Sequence, residues 1–246
     1  MSAKPRLLVV QHQDDGGLGR LAAPFAAATE LDVRRPGHGE PLPDDLEGVR
    51  GLVVLGGSMA AWEDDLAPWL PQTRRLLALG AETGVPVLGI CLGAQLLAHA
   101  TGGRVEPGVH GIEAGLSAIV PTEVVDGDPL MAALPSTGFV GAQGHQDAVV
   151  QLPPGAVLVA TGTPYPHQAF RVGATAWGVQ YHPEVTADDF EVWMRGDADV
   201  VRAAGLDPGE VARAVRDAED ELDELAAAHA AAFLGVVSGT SVGARR

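Results

Sequence analysis

Cysteine occurs once in the 246 residues, at position 91. One thiol excludes an intramolecular disulfide framework and any cysteine-rich zinc site. Basic residues are scarce too: 16 against 32 acidic ones, a formal net charge of −16. A surface of that sign repels phosphate backbones, so nucleic acid is not an expected partner. No uncharged run is long enough to span a bilayer. The opening MSAKPRLLVVQHQDDGG passes from a short apolar run straight to acids, unlike a secretory leader. The expectation is a cytoplasmic protein with no membrane segment. There is no internal repeat.

What is present is a substantial apolar fraction, 46% of residues, enough to fill a core. The length suits one large α/β domain, or one domain with an appendage. Residues 6–10 (RLLVV) and 51–55 (GLVVL) read as buried strands, and 31–34 as a short one. Between them lie a helix at 18–28, interrupted early by Pro24, and a loop at 35–50 rich in proline, glycine and acids. A second helix is expected over 68–80. Strands alternating with helices argue for a mostly parallel sheet covered on both faces. After Gly102-Gly103 the texture changes to short strand-like runs at 116–120, 138–142, 148–150, 156–160, 169–172 and 175–181, which predicts antiparallel additions to the sheet.

The chain is organised around VPVLGICLGAQLLAHA, residues 85–100. Val87, Leu88 and Ile90 make a buried strand, and Pro86 suits only its first positions. From Leu92 the spacing becomes helical, with Leu92, Gln95, Leu96 and His99 three and four apart. Cys91 sits at the switch, and Gly89 and Gly93 complete a G-x-C-x-G pattern. This is a strand–turn–helix elbow, in which glycines let neighbouring backbone approach a nucleophile held on a tight turn. A thiol there faces the positive end of the following helix, which favours its anion. An isolated cysteine is also a common core residue. The flanking glycines bring the two readings level, and distant residues decide between them.

Those residues follow the strand at 175–181. His182-Pro183-Glu184 places an imidazole and a carboxylate two apart, able to share one face and to fix the histidine tautomer. A cysteine at an elbow with an acid-oriented histidine is the arrangement for acyl transfer through a thioester. Gly56-Gly57 ends another buried strand, which in an α/β sheet reaches the same carboxyl edge. The backbone N–H groups of Gly57 and Leu92 are therefore the candidate oxyanion donors. His145-Gln146-Asp147 and His182-Pro183-Glu184 lack further spaced ligands, so no metal is expected. No cofactor is expected either. His12, His38, His99, His110, His167 and His229 are read as surface or core residues.

Together these segments resemble the class I glutamine amidotransferases, and most closely the stand-alone proteins similar to the amidotransferase domain of GMP synthase. The resemblance rests on GGSMAAWEDDLAPWL (56–70), VPVLGICLGAQLLA (85–98), EAGL (113–116), GHQD (144–147), LPPGAVLVATG (152–162), QAFR (168–171) and WGVQYHPEV (177–185), and covers about residues 5–195. It implies Cys91 as nucleophile, His182 as general base and acid, and Glu184 as its orienting carboxylate. It implies further that Gln95, Gly144, His145, Gln146 and Asp147 line the pocket of the γ-amide donor. The family usually carries serine, asparagine or tryptophan before the histidine at 145 and glycine after it, where this chain has Gly144 and Gln146. Ser58 stands where proline is common. These departures put the exact donor in question. Three functions stay open: glutamine hydrolysis feeding ammonia to a synthetase partner, hydrolysis of γ-glutamyl peptides or conjugates, and a non-catalytic partner subunit.

Residues 1–204 are thus expected to form the amidotransferase-like domain. Residues 205–246 have another character. Asp207-Pro208-Gly209-Glu210 reads as a helix start. An apolar stripe from Val211 to Phe233 then predicts one amphipathic helix over 208–234, roughly 40 Å long. Gly235 is the expected stop and 238–246 the expected disordered end. That stripe must be covered by the domain itself or by a second chain, which makes a homo-oligomer possible.

Overall fold

The largest element is a nine-stranded sheet in the order β2-β1-β3-β4-β11-β10-β9-β6-β7. It is seen in a computed structural model that describes residues 3–239. One half consists of β1 (Arg6–Val10), β2 (Glu30–Arg34), β3 (Val49–Val54), β4 (Val87–Ile90) and β11 (Ala176–Val179), all paired parallel. The other half adds β10 (Ala169–Val172), β9 (Val157–Gly162), β6 (Glu113–Pro121) and β7 (Phe139–His145), all paired antiparallel. A separate antiparallel ribbon joins β5 (Arg104–Pro107) to β8 (Asp147–Gln151). The α/β sheet with antiparallel strands in its second half is therefore as the sequence predicts.

Both faces of the parallel half are buried, which is why its strands read as continuous apolar runs. Leu7, Val9, Val53, Leu88 and Ile90 point into one core. Leu8, Val10, Leu52, Val54 and Val87 point into the other. The second core is closed by α2 (Leu70–Thr83) and α3 (Leu92–Ala100) through Leu70, Leu76, Leu77, Leu96 and Leu97. The first is closed by α1 (Ala22–Ala28), α4 (Ala187–Gly196) and two C-terminal helices, α6 (Pro208–Asp217) and α7 (Glu219–Val237). The short α5 (Ala198–Ala203) links α4 to α6.

Four expectations are corrected. The tail is two helices, broken at Ala218 (φ −99°, ψ 15°). The break puts Glu219, Asp220 and Glu221 in the first turn of α7, where the helix dipole favours acids. It also lets Arg216 at the end of α6 reach Asp188 and Glu191 of α4. Gly235 does not stop α7, because continuing the helix buries Val237 to 2% exposure against the sheet. That burial outweighs the cost of about 1 kcal/mol for a mid-helix glycine. The helix expected over 18–28 is a 3-10 turn at Gly19–Leu21 followed by α1, with Pro24 in the first turn, where no intrahelical N–H is required. Of the stretch expected to be disordered, Ser238 and Gly239 cap α7; residues 240–246 lie outside the described residues. The apolar stripe of the tail is covered by the chain's own sheet.

Candidate active site

At the carboxyl edge of the sheet the chain passes from β4 to α3 through Cys91, whose φ of 51° is the one positive value on a non-glycine residue among those described. For a residue with a Cβ this conformation is strained and persists only where the surroundings enforce it. The surroundings here are two close backbone passes. A Cβ on Gly93 would stand 2.0 Å from the Val54 carbonyl oxygen of β3, and one on Gly89 would stand 2.5 Å from the Gly93 carbonyl oxygen. Only glycine fits either position. The Cys91 N–H donates to the Val179 carbonyl (2.8 Å) and its carbonyl accepts from the Gln95 N–H (3.0 Å), so the elbow is tied to β11 and to its own helix.

β11 delivers His182 to the elbow. The His182 N–H donates to the Ala142 carbonyl of β7 (2.9 Å). Nδ1 lies 2.7 Å from Glu184 Oε1, and both side chains are only 3% exposed. Nε2 has no hydrogen-bond partner among the described residues, and the ring stands beside the elbow: a Cβ on Gly56 would meet both His182 Cε1 (3.1 Å) and Cys91 Cβ (3.6 Å). Burial alone depresses an imidazole, but the Glu184 carboxylate and the Cys91 sulfur outweigh it and raise His182 above the ordinary histidine range. The turn carrying Glu184 is clamped from the β1–α1 side: the Arg20 N–H donates to the Glu184 carbonyl and Arg20 Nε to the Val185 carbonyl, both at 2.8 Å.

In front of Cys91 opens a cleft of about 350 Å³, within the range of small-molecule sites. Gly57, Gln95, Gly144, His145, Gln146 and Asp147 all line it with Cys91, while Leu92, His182 and Glu184 are buried and not among its lining residues. Gly57 packs against the Leu92 side chain. The N–H groups of Gly57 and Leu92 make no hydrogen bond with the described residues. Gln95 is used partly on the protein itself: its amide nitrogen donates to the Asp147 carbonyl (2.9 Å) and to Gln180 Oε1 (3.2 Å), fixing the β7–β8 turn. Gln146, at the tip of that turn, is exposed.

The model of the family described as glutamine amidotransferase class-I matches residues 31–194. The chain belongs to that family. Among curated relatives, the GMP synthase [glutamine-hydrolyzing] of Porphyromonas gingivalis is 34% identical over 145 residues, 58% of this chain and 26% of that protein. That of Thermosipho melanesiensis is 36% identical over 174 residues, 66% of this chain and 31% of its own length. The chain thus spans about a quarter to a third of the GMP synthases that it matches. A glutamine amidotransferase of Thermotoga maritima superposes with a TM-score of 0.82 at 28% identity, covering 95% of this chain and 99% of the other. One from Methylobacillus flagellatus gives 0.80 at 25% identity, covering 96% of each.

In this class I amidotransferase the structure adds residues that sequence reasoning passed over. Met59, Ala60, Trp62 and Glu63 form one wall of the cleft, and Ile112 and Asp197 contribute from elsewhere. Glu113 lies beneath it, 6% exposed, accepting from Ser117 and Gln168 and standing 2.9 Å from His145 Nε2. The other nitrogen of His145 meets the Asp147 carbonyl at 2.8 Å, so the ring is fixed at both ends. Burial and the Glu63 charge raise the Asp147 carboxyl; burial and Asp15 raise that of Asp197. Glu113 and Glu63 lie inside the segments EAGL and GGSMAAWEDD that carry the resemblance, which is the signal that could have found them. Asp197 lies beyond α4, whose start is marked by Thr186 accepting from the Asp189 N–H (3.1 Å), a cap visible in the sequence as T-x-x-D. His12 and His229, left by the sequence as surface or core residues, are buried, each with its pKa lowered by burial to about 4.

Proposed function

We propose that this chain hydrolyses the γ-amide of glutamine through a cysteinyl thioester. The observation that carries the reading is the Cys91 elbow, strained at φ 51°, with the buried His182–Glu184 pair behind it. The Cys91 thiolate adds to the γ-carbonyl carbon, and the negative charge that develops on oxygen is taken up by the Gly57 and Leu92 N–H groups. One such donor is worth on the order of 10²–10³ in rate. The His182 imidazolium gives its proton to the departing nitrogen, so the C–N bond breaks with release of ammonia. The now neutral imidazole takes a proton from water, whose oxygen attacks the thioester, and glutamate leaves as the sulfur recovers its electron pair. Glu184 supports the charged imidazole in both halves of the cycle. Gln95, Gly144, His145, Gln146 and Asp147 are assigned to the amino-acid end of the donor. The use of the ammonia is assigned to a synthetase partner region outside these residues, in keeping with the fraction of the GMP synthases that the chain matches.

The test is release of glutamate and ammonia from glutamine, run beside a panel of γ-glutamyl peptides. Cys91→Ser should abolish turnover and labelling by a glutamine-mimicking electrophile. Turnover surviving in that variant would end the thioester mechanism, and a chain active only on γ-glutamyl peptides would replace the donor.

A further inference from the structure

Trp193 of α4 follows His182 by a turn and part of a helix, and its ring lies against the imidazole, with centroids 4.8 Å apart and planes inclined at 62°. Its indole N–H donates to the Asp15 carbonyl in the β1–α1 loop (2.9 Å). Its six-membered ring also covers Gly144 on the cleft-lining strand: a Cβ at 144 would meet Trp193 Cε3 at 3.6 Å. One side chain therefore touches the imidazole, the loop and the cleft strand.

The imidazole needs such a neighbour. Glu184 holds Nδ1 and leaves the ring free to swing about that bond. Nε2 has no oxygen or nitrogen partner that would resist the swing. Gly56 gives one restraint, since a Cβ there would stand 3.1 Å from His182 Cε1. An edge-to-face aromatic contact supplies another, favouring one relative inclination of two rings. We propose that Trp193 is a positioning residue, which sets the plane of His182 so that Nε2 faces the Cys91 sulfur. The hydrogen bond to Asp15 fixes the indole in turn. This inference rests on His182 being the proton carrier for Cys91, and does not depend on which amide is cleaved.

The experiment follows that independence. Cys91 is the sole thiol, so its alkylation by iodoacetamide can be read by mass and reports the thiolate–imidazole pair without any donor. At neutral pH, Trp193→Ala should slow alkylation on the order of 10-fold. It should lower kcat for whichever donor is used by about 10- to 100-fold, as displacement of a catalytic group does, with KM changed less than about threefold. Trp193→Phe, which keeps an aromatic edge and loses the N–H, should recover most of both. Trp193→Leu fills the space without a ring and stands in if the alanine variant does not fold; it should behave like alanine while melting close to wild type. Wild-type alkylation rates in the alanine or leucine variant would overturn the proposal. So would a phenylalanine variant as slow as alanine, which would move the effect to the Asp15 tether. If wild type fails to hydrolyse glutamine but Trp193→Ala still slows alkylation, the positioning role stands and the glutamine reading falls.

Discussion

Glu184 is 2.7 Å from His182 Nδ1 and is itself buried, so its charge acts on the imidazole with little screening by water. Glu184→Gln keeps the shape and removes the charge. The carboxylate is one of the groups that raise His182, so the imidazolium in the variant loses its proton at lower pH. Activity should fall on the order of 10²-fold in kcat, and the alkaline limb of the rate profile should move toward neutrality. A profile superimposable on wild type would remove Glu184 from its role. Gln146 belongs to the same scale: it is exposed and lines the cleft, and we propose that its side chain, in place of the glycine common in the family, narrows the end assigned to the donor's amino-acid group. Gln146→Gly should raise kcat/KM for glutamine several-fold if that narrowing is an obstacle; an unchanged value would place the control elsewhere. Cys91, His182 and Glu184 were legible because each lies in a short local pattern whose chemistry is explicit. Trp193 was not, because its role depends on a hydrogen bond across 178 residues of sequence and a ring contact that no spacing encodes.

Elements carry two further expectations. Gly93→Ala drives a methyl onto the Val54 carbonyl at 2.0 Å, and both partners are backbone, so α3 must move away from β3. Overpacking of this kind costs about 1–3 kcal/mol or more, and the shift would displace Cys91. Melting temperature and turnover should therefore fall together, whereas Gly196→Ala in α4, with open space around its Cβ, should leave both intact. The second concerns α7. His229 Nδ1 donates to the Leu225 carbonyl and Nε2 accepts from the Tyr181 hydroxyl, both at 2.9 Å, so the neutral imidazole is the form that fits. Burial lowers it from 6.5 to about 4. Below pH 6.5 the unfolded chain takes up this proton and the folded chain does not, so stability drains as pH falls toward 4, on the order of 3 kcal/mol in all. His182, shifted upward, acts in the opposite window and loses its contribution as pH rises above 6.5. His229→Gln should melt lower at pH 7 but show a flatter acid limb; an unchanged limb would assign the acid sensitivity to another group. The elbow helix and the strands other than β5 were legible to within a few residues, since apolar runs are local; β5, RVEP with one buried residue, carries no such run and was missed. The split of the tail at Ala218 was not, because it answers to ion pairs with α4 and to packing under β7.

At the scale of the whole molecule, the C-terminal helices differ in texture from residues 1–204, and the question is whether they also separate in energy. Leu222, Leu225, Phe233 and Val237 of α7 and Val215 of α6 are buried in the same core as β1, β3 and β11. Phe233 packs on Phe25 of α1 with ring centroids 5.9 Å apart, and it stands with Val237 over Gly51 of β3. Each such side chain is worth about 1.5–3 kcal/mol when fully buried. Removing five of them therefore forfeits an amount comparable with the whole net stability of a typical domain, about 5–15 kcal/mol. The same cut strips Tyr181 of its His229 partner, one residue from His182. Truncation after Gly205 should accordingly yield a chain without a cooperative thermal transition and without turnover, rather than a smaller active enzyme. Adding a peptide of residues 206–239 in trans should restore part of both if the loss is one of packing. A truncated chain that melts cooperatively near the wild-type temperature and still turns over would make α6 and α7 an appendage, and would leave the apolar face beneath them free for a partner.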